Sequence, residues 1–128
     1  MASYGKYFTI PGAIAGESFA SKQYYVCKVG ATAQEVKVAG TAATDYVCGV
    51  IQNDPADGQE AEVACLGVAK AAAEASVTLG SYVTTSSTGR VKTTTTDGDS
   101  LVGMALEASS SAGDIIKVLV IPSKFYLA

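Results

Sequence analysis

The sequence predicts a compact, mainly β fold, either a β-barrel or a small sandwich of short strands. Short runs rich in Val, Ile, Thr and Tyr recur from Gln23 onward, and turn signals containing Gly or Asp separate them. Apolar residues make up 48% of the 128 residues, but Ala and Val supply most of them. The core is therefore expected to be thin and made of small side chains, which suits sheets better than packed helices. This length is that of one domain.

Eight strands follow from these patterns, at residues 23–29, 34–38, 46–52, 59–66, 82–85, 90–95, 101–107 and 114–121. In the fourth, strict alternation places one set of side chains on the core side (Ala61, Val63, Cys65) and the other on the solvent side (Glu60, Glu62, Ala64).

Residues 67–73 combine good helix formers with strand neighbours. We predict a strand here, because Gly67 and Val68 follow a strand without any helix cap or turn. A short helix near residues 73–77 is the alternative, and it is the one helix that the pattern allows.

The two ends differ from the middle. Residues 1–22 mix aromatic and apolar side chains with Gly, Ser and Ala, are broken by Pro11-Gly12, and show no regular period. We interpret them as an extended N-terminal arm that docks on a partner, the alternative being that they pack on their own domain. The β domain is assigned to residues 23–122 and a C-terminal tail to residues 123–128.

The β domain contains an internal two-fold repeat. The segment YVCGVIQNDPADGQEAEVACL resembles LVGMALEASSSAGDIIKVLVI, and the strands before each segment also correspond. Three pairs of residues align: Gly49 with Gly103, Gly58 with Gly113, and Val63 with Val118. The repeat halves span about 23–66 and 80–121, which suggests two similar halves that close on one core. The aligned glycines indicate a bulge or tight packing within the sheet.

Composition argues against several functions. The net charge is −3 and the nine basic residues are scattered, so no basic patch predicts nucleic-acid binding. No apolar run predicts a membrane span, and MASYGKYFTI lacks the features of a signal peptide, so synthesis in a cytoplasm is expected. Three cysteines without a CxxC pair are expected to be buried free thiols.

Catalytic chemistry has little support. The chain has no histidine, which excludes Ser-His-Asp and Cys-His pairs and His-ligated zinc. Glu60 and Glu62 are the one carboxylate pair that acid-base chemistry could use, but we interpret them as part of a solvated strand face. We predict no enzymatic activity, no cofactor and no metal; a carboxylate-based enzyme remains a remote alternative.

The run from Gly49 to Pro122 resembles the capsid cement, or decoration, proteins of tailed bacteriophages. The features that match are a Gly-Val strand, a loop that ends in Gly-Gln-Glu, a Gly-Arg-Val step, the pattern Val-Gly-Met-Ala-Leu-Glu-Ala, and Ala-Gly-Asp before the last strand. The resemblance implies a fold akin to the lambdoid head decoration proteins. It also implies binding to the outer face of an assembled shell of major capsid protein, with self-association as a trimer.

The resemblance implies a structural virion protein that stabilises the shell by binding its assembled form. It carries no catalytic or cofactor residue. Other phage structural roles, such as a head-fibre base, a tail component or a host-attachment module, are the main alternative. The unmatched ends are our candidates for contact with the capsid, and their apolar and aromatic residues are Tyr4, Tyr7, Phe8, Ile10, Phe125 and Tyr126.

Overall fold

The computed structural model describes residues 7–124, and within that range it contains strands and no helix. The prediction of a mainly β fold is confirmed. The strands are β1 (Tyr7–Thr9), β2 (Ile14–Ala15), β3 (Val26–Val29), β4 (Glu35–Val38), β5 (Val47–Ile51), β6 (Val63–Ala72), β7 (Tyr82–Thr85), β8 (Val91–Thr93), β9 (Ser100–Ala105) and β10 (Ile115–Lys124).

All ten strands belong to one sheet whose order reflects the repeat. The path runs β2-β4-β3-β5-β6-β10-β9-β7-β8, and β1 pairs with β6 as well. Each half contains an antiparallel hairpin, β3–β4 or β7–β8, then a strand, β5 or β9, and then a ten-residue strand, β6 or β10. The two long strands pair antiparallel at the centre, so the halves are related by an approximate two-fold axis there.

The hydrogen-bonded path is open, but each half curls back toward β6. In the first half, Ile14 of β2 forms a bridge with Glu60, just before β6 begins. In the second half, Ala73, just after β6 ends, forms a bridge with Val91 of β8. The sequence predicted a barrel or a small sandwich. The structure has one continuous, open sheet that coils around two apolar clusters, and β6 contributes residues to both clusters.

Strand β6 achieves this because it changes direction along its length. The backbone N–H of Gln52 donates to the carbonyl of Glu62 (2.7 Å), and its side-chain amide donates to the carbonyl of Lys70 (2.9 Å). In a straight strand these two carbonyls would lie roughly 26 Å apart. Gly67, with a φ of 114°, lies between them and supplies a backbone conformation that other residues rarely adopt.

Gly49 and Gly103, which align in the repeat, have the same structural role as each other. A side chain on Gly49 would overlap the carbonyl oxygen of Ala64 on β6, and one on Gly103 would overlap that of Leu119 on β10. At both positions the backbone of the neighbouring strand comes too close for a Cβ atom. The predicted tight packing of the sheet is confirmed.

The described part of the N-terminal segment packs on the domain, which is the second of the two alternatives considered from the sequence. Strand β1 pairs with β6 and β2 pairs with β4 in parallel. Phe19 has no exposed surface and lies in the smaller cluster with Ala13 and Ala15. Residues 7–22 are therefore part of the domain and not a free arm.

The alternative of a short helix at residues 73–77 is not realised. These residues form bends and bridges, because Ala73 and Val77 form backbone hydrogen bonds with Asp114 and Ser109 in the connection between β9 and β10. One local expectation needs correction. Ala64, assigned to the solvent side of its strand, is fully buried. Ala64 belongs to the larger cluster and its neighbour Val63 to the smaller one. Both are buried because β6 passes between the two clusters.

Substitution of Phe19 by Ala should lower the free energy of unfolding by about 4 kcal/mol, because the cavity that it leaves lies inside a packed cluster. Phe8→Ala is the matched control, since the Phe8 side chain is 71% exposed, and it should change stability by less than about 1 kcal/mol. Urea unfolding of both variants measures the difference. A loss of stability for Phe19→Ala as small as that for Phe8→Ala would show that the N-terminal segment is not part of the folded core.

Substitution of Gly103 by Ala should destabilise the protein by about 3 kcal/mol, because the new methyl group forces β9 and β10 apart. Gly58→Ala is the comparison: Gly58 has open space around it and a φ of 86°, so it should lose only about 1 kcal/mol through backbone strain. Thermal unfolding followed by circular dichroism separates the two. A Gly103→Ala variant as stable as Gly58→Ala would contradict the close approach.

Candidate docking surface

One face of the central strands carries apolar side chains toward solvent. Leu119 of β10 lies directly opposite Val68 of β6 and Met104 of β9, and Met104 lies opposite Tyr82 of β7. Residues that lie opposite each other share a face, so these four form one row across four strands. Their neighbour Val118 points the other way and is fully buried in the larger cluster.

A second row lies beside the first on the same face. Lys117 of β10 lies opposite Lys70 of β6, and the backbone N–H of Leu106 donates to the carbonyl of Lys117 (2.9 Å). Tyr82 and Leu106 are 44% and 38% exposed. We call the two rows together the outer face, and it consists of Val68, Lys70, Tyr82, Met104, Leu106, Lys117 and Leu119. A row of apolar side chains on the solvent side of a sheet is typical of a site that binds a partner.

A groove of about 470 Å³ opens at the β6 end of the outer face. It exists because β6 bends there, which brings residues from the two ends of the strand to one place. Its polar walls come from β6, β10 and the segments next to them, and they include Tyr7, Tyr24, Gln52, Glu62, Lys70 and Lys117.

The side chains of the groove are held by specific contacts. The Tyr7 hydroxyl donates to Oε2 of Glu62 (2.5 Å). Partial burial, and then this hydrogen bond to a carboxylate, raise the pKa of Tyr7 to about 12, so the hydroxyl stays protonated and keeps donating. Tyr24 has a φ of 72°, which is unusual for a bulky residue, and the Lys70 ammonium lies 6.0 Å from the centre of its ring.

The residues that we proposed from the sequence for capsid contact differ in their exposure and in the groups they contact. Phe8 is 71% exposed and lies opposite Leu66, which is 48% exposed, so the two form an apolar pair at the edge of β6. Tyr7 is engaged with Glu62, and Ile10 is half-buried against the smaller cluster. The remaining candidates lie outside the described residues; they are Tyr4, Phe125 and Tyr126.

Neither the carboxylates nor the thiols form a reactive centre in the described part of the chain. Glu60 and Glu62 are both exposed, and residues 7–124 contain no group of three potential metal ligands among His, Cys, Asp and Glu. The three cysteines are free, as predicted, and Cys27 is buried while Cys48 and Cys65 are partly buried. Burial raises the pKa of Cys48 to about 11, so this thiol stays protonated near neutral pH.

Sequence reasoning missed the outer face and the groove. One signal was present: residues 115–121 are apolar at almost every position, whereas a strand with one wet side should alternate. The odd-numbered apolar residues of that run could have indicated a second face that needs a cover. The groove had no such signal, because it depends on the bend of β6 and on the backbone conformation of Tyr24.

Comparisons with known proteins agree with the fold. The model of a family described as phage cement protein matches residues 21–120. A solved structure, the head fiber gp8.5 N base of bacteriophage phi29, has a similar fold with a TM-score of 0.67 and 18% sequence identity, over 94% of this chain and 97% of that one. No curated protein matches the sequence. No helix among residues 7–124 is long and apolar enough to cross a membrane.

The family match covers most of the chain, including both halves of the repeat and the strands that carry the outer face. It also agrees with the motifs between Gly49 and Pro122 that resembled cement proteins. The chain belongs to the phage cement protein family and is a capsid-associated structural protein.

Proposed function

We propose that this protein binds the outside of a phage shell through its outer face and stabilises the assembled major capsid protein. The observation that carries this proposal is the row Val68, Leu119, Met104 and Tyr82, which runs across four strands on the solvent side of the sheet. Shielding those side chains from water supplies the binding free energy.

The stabilisation follows from mass action. A protein that binds the assembled shell, and not its separated subunits, lowers the free energy of the shell by an amount that grows with its concentration and affinity. Many copies then add up, so a modest contact area per copy is enough. No catalytic step is part of this role. Glu60 and Glu62 are exposed side chains just before the start of β6.

The apolar pair Phe8 and Leu66 supports a contact at the edge of the outer face. Of the residues proposed from the sequence, Phe8 has the most exposed surface in the described chain, and an aromatic side chain contributes a large area with few rotatable bonds. Tyr7 would contribute indirectly, by holding Glu62 in the groove. Deletion of residues 2–10 would remove β1 together with Phe8, so a point substitution is the cleaner test.

Self-association as a trimer is part of the proposal and rests on the resemblance to decoration proteins. Trimers would place three outer faces on the shell at once and raise the overall affinity through multivalency.

The head fiber base of similar fold favours a second candidate function, in which this domain anchors a fibre to the head. Electron microscopy of shells with added protein separates the two, because a cement protein coats the shell at many equivalent positions while a fibre base carries a projecting fibre.

The double substitution Tyr82→Ser with Leu106→Ser should weaken binding to undecorated shells by about 2–3 kcal/mol, roughly 100-fold in Kd, because it removes apolar area from the contact. The matched control is Val29→Ser with Tyr46→Ser, which changes one aliphatic and one aromatic side chain that are 55% and 75% exposed and lie outside the outer face. Cosedimentation with shells measures both. Equal binding by the two variants would refute the assignment of the outer face.

Analytical ultracentrifugation of protein released from decorated shells should show a species with three times the monomer mass, or, on the shell itself, density grouped in threes. A monomer in solution together with isolated single copies on the shell would refute the trimer.

A further inference from the structure

Two lysines line the groove side by side, and neither forms an ion pair with any described residue. Lys70 and Lys117 lie directly opposite across β6 and β10, and both are exposed. Like charges at directly opposite positions destabilise an antiparallel pair. Among the described residues the ion pairs are Lys28 with Asp45 and Arg90 with Glu74, and neither involves these two lysines.

A second lysine pair in the same sheet shows the contrast. Lys28 and Lys37 also lie directly opposite each other, on β3 and β4. There the Asp45 carboxylate lies 3.6 Å from the Lys28 ammonium and offsets the repulsion. The fold therefore places an ion-pair partner beside one opposed pair of lysines, whereas Lys70 and Lys117 form no ion pair with any described residue.

Two carboxylates lie close to this lysine pair, and each accepts a hydrogen bond from another group. Oε2 of Glu62 accepts the hydroxyl of Tyr7 (2.5 Å), and Oε1 of Glu107 accepts the backbone N–H of Lys117 (2.9 Å). The Gln52 side chain is bound to the backbone of Lys70 and does not reach over the ammonium groups as an acceptor.

Tyr24 adds an independent indication. A non-glycine residue of this size is strained at a φ of 72°, and strain of this kind concentrates at functional sites. The strained conformation is fixed by two backbone hydrogen bonds, from the N–H of Tyr24 to Ile51 (2.8 Å) and from the N–H of Ala72 to Tyr24 (2.9 Å). It keeps the aromatic ring in the wall of the groove, under the Lys70 ammonium.

We propose that the groove between Lys70 and Lys117 binds an acidic side chain of the shell protein, whose carboxylate bridges the two ammonium groups. This deepens the function proposed above and rests on it. The carboxylate supplies the ion pair that neither lysine makes among the described residues, and the groove volume of about 470 Å³ accommodates an Asp or Glu side chain with the loop that carries it. The apolar rows then provide area, while the lysine pair fixes the orientation of the protein on the shell.

The first experiment measures binding to undecorated shells by Lys70→Gln with Lys117→Gln. We expect about a tenfold loss of affinity and a smaller dependence of binding on salt. The control is Lys37→Gln with Lys92→Gln, which removes the same charge elsewhere, on β4 and β8, and should change affinity by less than about twofold. Equal losses for the two variants, or no loss for either, would overturn the proposal.

The second experiment does not depend on shells. The wild-type protein is titrated with hexaglutamate. Nuclear magnetic resonance measures the chemical shifts of the lysine Cε methylene groups and of the Tyr24 ring. Shifts confined to Lys70, Lys117 and Tyr24 support the site, and shifts spread over all lysines overturn it. Equal affinity for a short DNA strand would show general polyanion binding and would also overturn it.

The two experiments separate the possible failures. If the wild-type protein does not bind shells, the proposed function is refuted while the titration still decides whether the groove is a carboxylate site. If the wild-type protein binds shells and the Lys70 and Lys117 variant binds equally well, only the lysine site is refuted.

Discussion

The bend of β6 is the constraint on which the other features depend. This strand is shared by the two coiled halves, pairs with β10 at the approximate two-fold axis, and passes between the two apolar clusters. Gln52 bonds to the backbone at both ends of the bend, and Gly67 provides the conformation in between. A straight β6 would separate Glu62 from Lys70, and the groove would not exist. Strand geometry therefore determines where binding residues can meet.

The small side chains of the chain make this geometry possible. Close approach of backbones at Gly49 and Gly103 and a run of buried alanines on β6 allow the sheet to coil tightly around a thin core. In the described chain Phe19 is the largest fully buried side chain, whereas several other large apolar side chains are exposed, among them Leu66, Tyr82, Leu106 and Ile115. A cement protein benefits from this arrangement, because apolar area that is not needed in the core is available for the shell.

Much of the fold was predictable from local patterns, and the site was not. The turn residues and short β-branched runs gave the strand positions, and the alignment of Gly49 with Gly103 gave the two halves, because both signals are local in sequence. The N-terminal segment was harder to place. Its strands are two or three residues long, too short for a period, and the cluster that buries Phe19 includes residues as distant in sequence as Ile51 and Val63. The opposition of Lys70 and Lys117 required the register of β6 against β10, which no pattern within either strand specifies.

The outer face is the surface proposed to contact the shell, and a cryo-electron microscopy reconstruction of shells decorated with this protein tests that proposal most directly. We expect strands β6, β10, β9 and β7 to lie against the major capsid protein, with Tyr82 and Leu106 in the contact and an acidic side chain between Lys70 and Lys117. A reconstruction in which this face points to solvent, with the protein attached by another surface, would contradict the account.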